Sequence, residues 1–176
     1  MKNFLTFILI TFLPLFSFAQ QEVIDALVAD FQRNKALSLD YLQAMPEDQY
    51  SYKPTDSVRS FAQQFLHASQ GLIGLSANGT GAERMYPGLN LEKDESLQSK
   101  VEVTRIVTES FDYAIKSVQN MDPAVFNEIV ERGPFKVTRI GWINKSLEHV
   151  VHHRGQCVIY LRMSGITPPQ FKLFQN

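Results

Sequence analysis

The histidines carry the clearest chemistry in this sequence. There are four of them, and His149, His152 and His153 fall within one turn of a predicted helix. Residues four positions apart on a helix point only about 40° apart, so His149 and His153 project from the same face. Two imidazoles in this arrangement can reach one metal ion at nitrogen–metal distances of about 2.0–2.1 Å. The spacing therefore predicts two ligands of a metal site on this helix.

The remaining ligand of such a site has to come from another part of the chain, since two ligands rarely hold a metal tightly. His67 is the only other histidine and lies in a second predicted helix. Taken singly, His67 could be a hydrogen-bonded core residue, and the pair His149 and His153 could be a solvated helix face. Taken together, their confinement to two helices favours one divalent transition metal bound by all three.

Three protein ligands would leave a fourth coordination position open, which is typical of catalytic rather than structural sites. That position can bind water, whose pKa then falls toward about 7, or accept a substrate thiolate or carboxylate. Gln156 and Tyr160 lie on the same side of the helix, so they are candidate substrate-binding residues, although either could be an ordinary bundle residue. His152 sits about 60° to the other side of His149, which predicts a supporting or surface role.

Four long segments with helical periodicity must position these residues. They cover about residues 22–44, 56–77, 95–120 and 139–164, with Asp56 or Ser57 expected to cap the second and Thr138 the fourth. The connection over residues 82–94 is long and is expected to cross from one end of the molecule to the other. Residues 124–131 are predicted as a short helical turn and 135–137 as an extended piece. The predicted fold is all-α, a four-helix bundle with a long crossover connection.

The first 19 residues have the pattern of a secretory signal peptide. A short basic start at Lys2 precedes an apolar run over residues 4–16, and Ser17-Phe18-Ala19 supplies a small-x-small cleavage site. The thirteen-residue apolar run is too short to span about 30 Å of hydrocarbon comfortably, so no membrane span is expected after signal removal. Residues 20–176 are then one domain, exported to the periplasm or the medium.

The charge balance excludes some classes of partner. The chain has 17 basic and 18 acidic residues with no basic block, which argues against nucleic-acid binding and against electrostatic binding to membranes. Cys157 is the only cysteine, so no internal disulfide can form, and it is expected to be a small buried hydrophobe. The sequence leaves a homodimer open.

Two segments resemble the DinB-like (damage-inducible) metalloprotein superfamily. Residues 147–156, LEHVVHHRGQ, resemble its signature of a His, three residues and His-Arg-x-Gln, and residues 60–67, SFAQQFLH, resemble its second-helix element. The resemblance covers nearly all of the mature chain. It implies a four-helix bundle with a crossover and a three-histidine site for zinc or nickel, with His67, His149 and His153 at the ligand positions. Arg154, also in the signature, is expected to point away from the metal and to have a structural role, such as a salt bridge to a neighbouring helix.

The resemblance also implies a range of functions. Relatives include thiol transferases that use low-molecular-weight thiols, hydrolases and isomerases. We therefore expect an exported metal-dependent transferase or hydrolase that acts on a small molecule. Export argues against thiol transfer, because low-molecular-weight thiols are concentrated in the cytoplasm. The alternatives are a non-catalytic metal-binding or stress-associated bundle, and a bundle whose histidines bind nothing.

Overall fold

Four helices form the bulk of the computed structural model, which describes the backbone of residues 2–174 and the side chains of residues 21–174. They are α1 (Lys2–Ala44), α2 (Phe61–Thr80), α3 (Lys100–Gln119) and α4 (Arg139–Met163). A short antiparallel hairpin of β1 (Ile129–Arg132) and β2 (Phe135–Thr138) precedes α4. The predicted all-α bundle is confirmed, with this hairpin as an addition that the sequence pattern did not predict.

The connection between α2 and α3 crosses the length of the bundle, as predicted. It leaves α2 at Gly81, whose positive φ of 79° suits glycine at a helix end. The backbone N–H of Leu91 then donates to Gln70 in the middle of α2, and Glu92 lies beside Arg59, just before α2 begins. The chain therefore returns along α2, so that α2 and α3 run in the same direction.

The second helix begins later than the sequence indicated, because Ser60 rather than Asp56 or Ser57 caps it. The Ser60 hydroxyl accepts a hydrogen bond from the Gln63 backbone N–H at 3.2 Å, and the Gln63 side chain accepts one from the Ser60 N–H at 2.9 Å. This reciprocal pair is a capping box, which satisfies two backbone donors at once. The helix therefore begins at this capping box and not at the single side-chain cap that Asp56 or Ser57 could provide.

The other helix ends agree more closely with the sequence. Ser99 caps α3, and the predicted first turn of that helix is a separate 3₁₀ turn over Glu95–Leu97. Thr138 caps α4 as predicted, accepting from the Gly141 N–H at 3.1 Å. The helices α2, α3 and α4 therefore each begin at a hydroxyl side chain that accepts from a free backbone N–H.

The prediction of a helical turn over residues 124–131 was wrong in its second half. A 3₁₀ turn covers only Pro123–Val125, and β1 follows, pairing with the extended piece that was predicted. The Trp142 indole N–H donates to the Val130 carbonyl at 3.1 Å, which fixes the hairpin against the first turn of α4. The hairpin therefore forms a wall beside that helix.

The core lies between the four helices and is built mainly from large apolar side chains. Phe31, Phe61 and Phe111 are almost completely buried, one from each of the first three helices. Cys157 of α4 is also buried, as predicted, and burial raises the pKa of its thiol far above its usual value. At neutral pH it is therefore a protonated packing residue rather than a nucleophile.

Within the described residues, no helix combines the length and the apolar character that a membrane span requires. The predicted signal peptide, residues 1–19, lies outside the part of the chain whose side chains are described, and it stays a prediction.

Candidate metal centre

His67, His149 and His153 converge on one point between α2 and α4. One ring nitrogen from each lies within 4.8 Å of those of the other two. The ring centroids are 4.5 Å apart for His149 and His153, 4.6 Å for His67 and His153, and 5.1 Å for His67 and His149. The structure thus brings together the three histidines that the sequence grouped.

The His153 ring is oriented by Gln64, one turn before His67 on α2. Its Nδ1 lies 2.8 Å from the Gln64 side-chain oxygen. The Gln64 amide nitrogen donates to Gln156 at 2.9 Å and to the Tyr160 hydroxyl at 3.1 Å, which fixes the orientation of the amide. Because the Gln64 oxygen can only accept, Nδ1 of His153 carries the proton, and its Nε2 presents a lone pair to the cluster.

The His67 ring is oriented by Glu92 from the crossover connection. Its Nδ1 lies 2.9 Å from a Glu92 carboxylate oxygen, and Arg59 pairs with the same carboxylate. Partial burial would raise the pKa of Glu92, but the Arg59 hydrogen bond and the nearby His67 lower it below its usual value. The carboxylate is therefore ionised, accepts from Nδ1–H of His67 and leaves Nε2 free for a metal.

The third ring, of His149, lies directly on the backbone of α2 at Gly71. A Cβ atom at Gly71 would be 2.2 Å from Cε1 of His149, so only glycine leaves room for the ring. Nδ1 of His149 is buried and has no hydrogen-bond partner among residues 21–174. Such an orphaned nitrogen costs about 1–3 kcal/mol. The close fit of the ring at Gly71 therefore fixes where His149 lies, with the Ala68 backbone as its nearest polar neighbour on α2.

Burial keeps these imidazoles neutral. Burial, with a smaller contribution from the neighbouring His149 and His67, lowers the pKa of His153 to about 3. Burial is also the main cause of the lowered pKa of His67 and of His149. Metal binding requires neutral imidazole, so the cluster is in its ligating form at neutral pH. Three neutral nitrogen donors, two of them held by hydrogen bonds, fit a divalent transition metal.

The two predicted substrate-binding residues are both part of the hydrogen-bond network behind His153. Tyr160 is buried, and its hydroxyl donates to the Arg59 carbonyl at 2.6 Å while accepting from Gln64. Gln156 is half-buried, accepts from Gln64 and lies 2.9 Å from Nε2 of His152 through its amide nitrogen. His152 itself is exposed and lies outside the three-histidine group, in agreement with its predicted supporting or surface role.

Arg154 differs from its prediction in one respect. It does point away from the cluster and contacts α1, but it donates to the Asn34 carbonyl at 3.2 Å and the Ser38 hydroxyl at 3.4 Å. No carboxylate pairs with it in the described part of the chain, so the predicted salt bridge is wrong. At this point α1 presents a carbonyl and a hydroxyl instead of an acid. Burial lowers the pKa of this guanidinium to about 10.

Sequence reasoning missed the residues that position the ligands, namely Arg59, Gln64, Gly71 and Glu92. Two signals pointed toward them. Gln64 precedes His67 by three residues and so shares its helix face. Glu92 belongs to a connection of more than twelve residues, a length at which loops are usually functional.

The cluster opens on a cleft of about 360 Å³, to which both His67 and His149 contribute. Gly71 and Gly74 of α2 form its floor, and Arg84 and Glu92 of the crossover lie along it. The cleft lies within the size range of small-molecule sites. A metal held by the three histidines would therefore be within reach of a small molecule.

Comparison with known proteins identifies a family and similar folds. The family model described as DinB family matches residues 18–176. The crystal structure of a DinB-like protein from Bacillus cereus ATCC 10987 superposes with a TM-score of 0.67 at 14% identity, over 84% of this chain and 94% of that one. The DinB-like protein YjoA from Bacillus subtilis gives a TM-score of 0.61 at 15% identity, over 84% and 97%. These two likenesses show the fold. No curated protein matches the sequence.

Proposed function

The chain belongs to the DinB family, and from this premise we propose that it is a metal-dependent enzyme, a transferase or hydrolase acting on a small molecule. Its metal is one divalent ion, zinc or nickel, bound by His67, His149 and His153. The observation that carries this proposal is the convergence of three neutral imidazoles, two of which are held by hydrogen bonds with Nε2 free.

An open coordination position supports a catalytic rather than a structural role. The described residues supply only these three histidines to the group, and His152 is turned to the surface. When bound, the metal would supply Lewis acidity and lower the pKa of a water or thiol in the open position. The protein's own groups have separate tasks: Gln64 and Glu92 orient two rings, and Gly71 lets the third approach.

We keep Gln156 and Tyr160 as proposed substrate-positioning residues, in different ways. Gln156 reaches the exposed side of α4 through His152, where its amide could turn toward a bound ligand. Tyr160 is buried, so it would position a substrate only indirectly, through Gln64 and the His153 ring that Gln64 orients. We also propose export with removal of residues 1–19, which is supported by the basic, apolar and small-x-small pattern of that segment. Hydrolysis then needs only water as the second reactant, whereas thiol transfer needs an exported thiol.

Elemental analysis of purified residues 20–176 tests the metal site. We expect about one zinc or nickel per chain, and less than about a tenth of that in His149→Ala, because two imidazoles hold the ion weakly. His152→Ala is the matched control from the same helical turn and should keep its metal. A wild-type protein from metal-replete medium without stoichiometric metal would overturn the site.

Turnover separates the enzyme from a non-catalytic metal-binding protein. The metal-loaded and chelator-stripped proteins are compared on panels of esters, amides and thiol acceptors, and any activity should be lost on stripping and regained with metal. Turnover that survives in metal-free His149→Ala would exclude metal catalysis. Full metal occupancy with no change in thermal stability on adding any panel compound would favour the non-catalytic alternative.

A further inference from the structure

A second cleft, of about 550 Å³, lies on the other side of His149. The hairpin side chains Phe135 and Val137, together with Leu75 and Trp142, give it apolar walls. His149, His152 and the ion pair of Lys145 with Glu148 also line it. An apolar cavity of this size next to polar, metal-binding groups is the usual form of a small-molecule site.

The hairpin that forms the outer wall is held firmly in place. Besides the Trp142 hydrogen bond to β1, a Cβ atom at Gly141 would be 2.6 Å from a Val137 methyl group, so the strand and helix are in very close contact. Phe135 packs edge-on against Trp142, with ring centroids 6.3 Å apart, yet it remains 60% exposed. A large aromatic side chain on a rigid strand, open toward a cleft, is suited to covering a bound apolar group.

The cleft on the crossover side has the opposite character. Arg84 lies across Gly74, where a Cβ atom would be 3.4 Å from its guanidinium nitrogen. Within residues 21–174 Arg84 forms no salt bridge and no side-chain hydrogen bond, whereas Glu92 in the same cleft is already paired with Arg59 and His67. The crossover cleft therefore offers a free guanidinium, which suits a carboxylate.

Both clefts share His149 and Leu75 as lining residues. A ligand that spans them would therefore lie against His149, one of the three proposed metal ligands. We propose that the substrate is an amphipathic carboxylate, with an apolar, preferably aromatic, group in the hairpin cleft and its carboxylate at Arg84. A donor or electrophilic atom between the two ends would then lie at the metal. This inference rests on the proposed metal site and names the substrate class for it.

Three thiols bound to the cobalt-loaded protein test this arrangement, with the thiolate–cobalt absorption band as the readout. The probes are 2-mercapto-3-phenylpropanoate, mercaptoacetate without the ring, and 2-phenylethanethiol without the carboxylate. We expect the first to bind most tightly, mercaptoacetate about tenfold more weakly, and 2-phenylethanethiol severalfold more weakly. Equal affinity of all three would overturn the proposal.

Substitutions at Phe135 and Arg84 test which end of the ligand lies in which cleft. Phe135→Ala should weaken binding of the two phenyl-bearing thiols by about fivefold or more and leave mercaptoacetate unchanged. Arg84→Gln should weaken the two carboxylates and leave 2-phenylethanethiol unchanged, and Arg84→Lys should restore part of the loss. Phe171→Ala is the matched control, since Phe171 is similarly exposed at 64% but packs beside Arg33. Variants that weaken all three thiols equally would overturn the assignment.

Cobalt content, measured first for each variant, keeps the two proposals distinguishable. A wild-type protein that binds no cobalt refutes the three-histidine site itself. A protein that binds one cobalt per chain but does not discriminate among the thiols refutes only the amphipathic substrate.

Discussion

At the scale of single residues, Gly71 is the position that most sharply tests how the site is built. Its hydrogen is all that separates α2 from the His149 ring, because a Cβ atom would come within 2.2 Å of that ring. We expect Gly71→Ala to lower metal affinity by at least about tenfold, the usual loss when a residue that positions a metal ligand is changed. Alanine should meanwhile favour the helix by about 0.5–1 kcal/mol relative to glycine.

Chelator competition measures the affinity of Gly71→Ala, and circular dichroism reports its helix content. Gly155→Ala is the control, since nothing lies within 4 Å of a Cβ atom at that helical glycine. Unchanged metal affinity in Gly71→Ala would mean that His149 is not confined as described. Loss of helix content would show a general packing defect instead.

The buried imidazoles also predict how the metal-free protein responds to acid. The pKa of His153 is about 3 in the folded chain against 6.5 for a free imidazole, so below pH 6.5 the unfolded state binds a proton that the folded state excludes. Stability is therefore fully present above about pH 6.5 and declines as the pH falls toward about 3. His67 and His149, whose pKa values are also lowered, add to this slope.

Urea unfolding of chelator-stripped protein between pH 7.5 and 5 measures how the free energy of unfolding depends on pH. This range lies mostly above the pKa values of carboxylates, so histidines dominate the change. Stability should fall through this range, and His153→Asn should show a shallower slope because one excluded proton is removed. An identical slope in the two proteins would contradict the role given to His153 burial.

The ligands were predictable from sequence, whereas the residues that hold them were not. The i, i+4 spacing of His149 and His153 has a fixed geometric meaning on any helix. Glu92 becomes a partner of His67 only because the crossover returns along α2, and no local pattern encodes that path. Arg154 shows the same limit, since its direction followed from helix geometry but its partners depended on which groups α1 presents there.

At the scale of secondary-structure elements, the start of α2 shows which local signal dominates. The capping box of Ser60 and Gln63 fixes the helix that carries His67. We expect Ser60→Ala to destabilise the protein by about 1 kcal/mol, a typical loss for a side-chain cap. Thermal unfolding should then show a decrease in Tm of about 2–4 °C for a chain of this size.

Ser57→Ala is the matched control for the Ser60 variant, because Ser57 was a plausible cap by sequence but lies before the helix in an exposed segment. Its Tm should equal that of the wild type. Equal losses from the two substitutions would place the helix start earlier than the structure does.

The hairpin was the least predictable element. Its strands have four residues each, too few for alternation of apolar and polar residues to be visible. The turn signal Gly133-Pro134 was apparent, but the pairing of Ile129 with Thr138 depends on the Trp142 anchor that follows in α4. The element that walls the apolar cleft is thus set by tertiary contacts.

At the scale of the whole molecule, the metal site joins parts of the chain that are far apart in sequence. His67 is on α2, its partner Glu92 is on the crossover, and His149 and His153 are on α4. The bundle and its crossover were predictable because four amphipathic segments and one long connection have few ways to pack. A metal that binds only this assembled form must stabilise the entire fold.

That coupling gives a prediction for metal removal. A ligand present at about 100 times its Kd stabilises the folded state by about 2.7 kcal/mol, which for this chain length corresponds to about 5–10 °C in Tm. Chelator should lower the Tm of the wild type by this amount and leave His149→Ala unchanged, as measured by scanning calorimetry at constant pH. His152→Ala, which keeps all three ligands, should respond to chelator like the wild type. An equal chelator effect on His149→Ala would mean that the stabilising metal is held elsewhere, because only a site that includes His149 links α2 to α4 in this way.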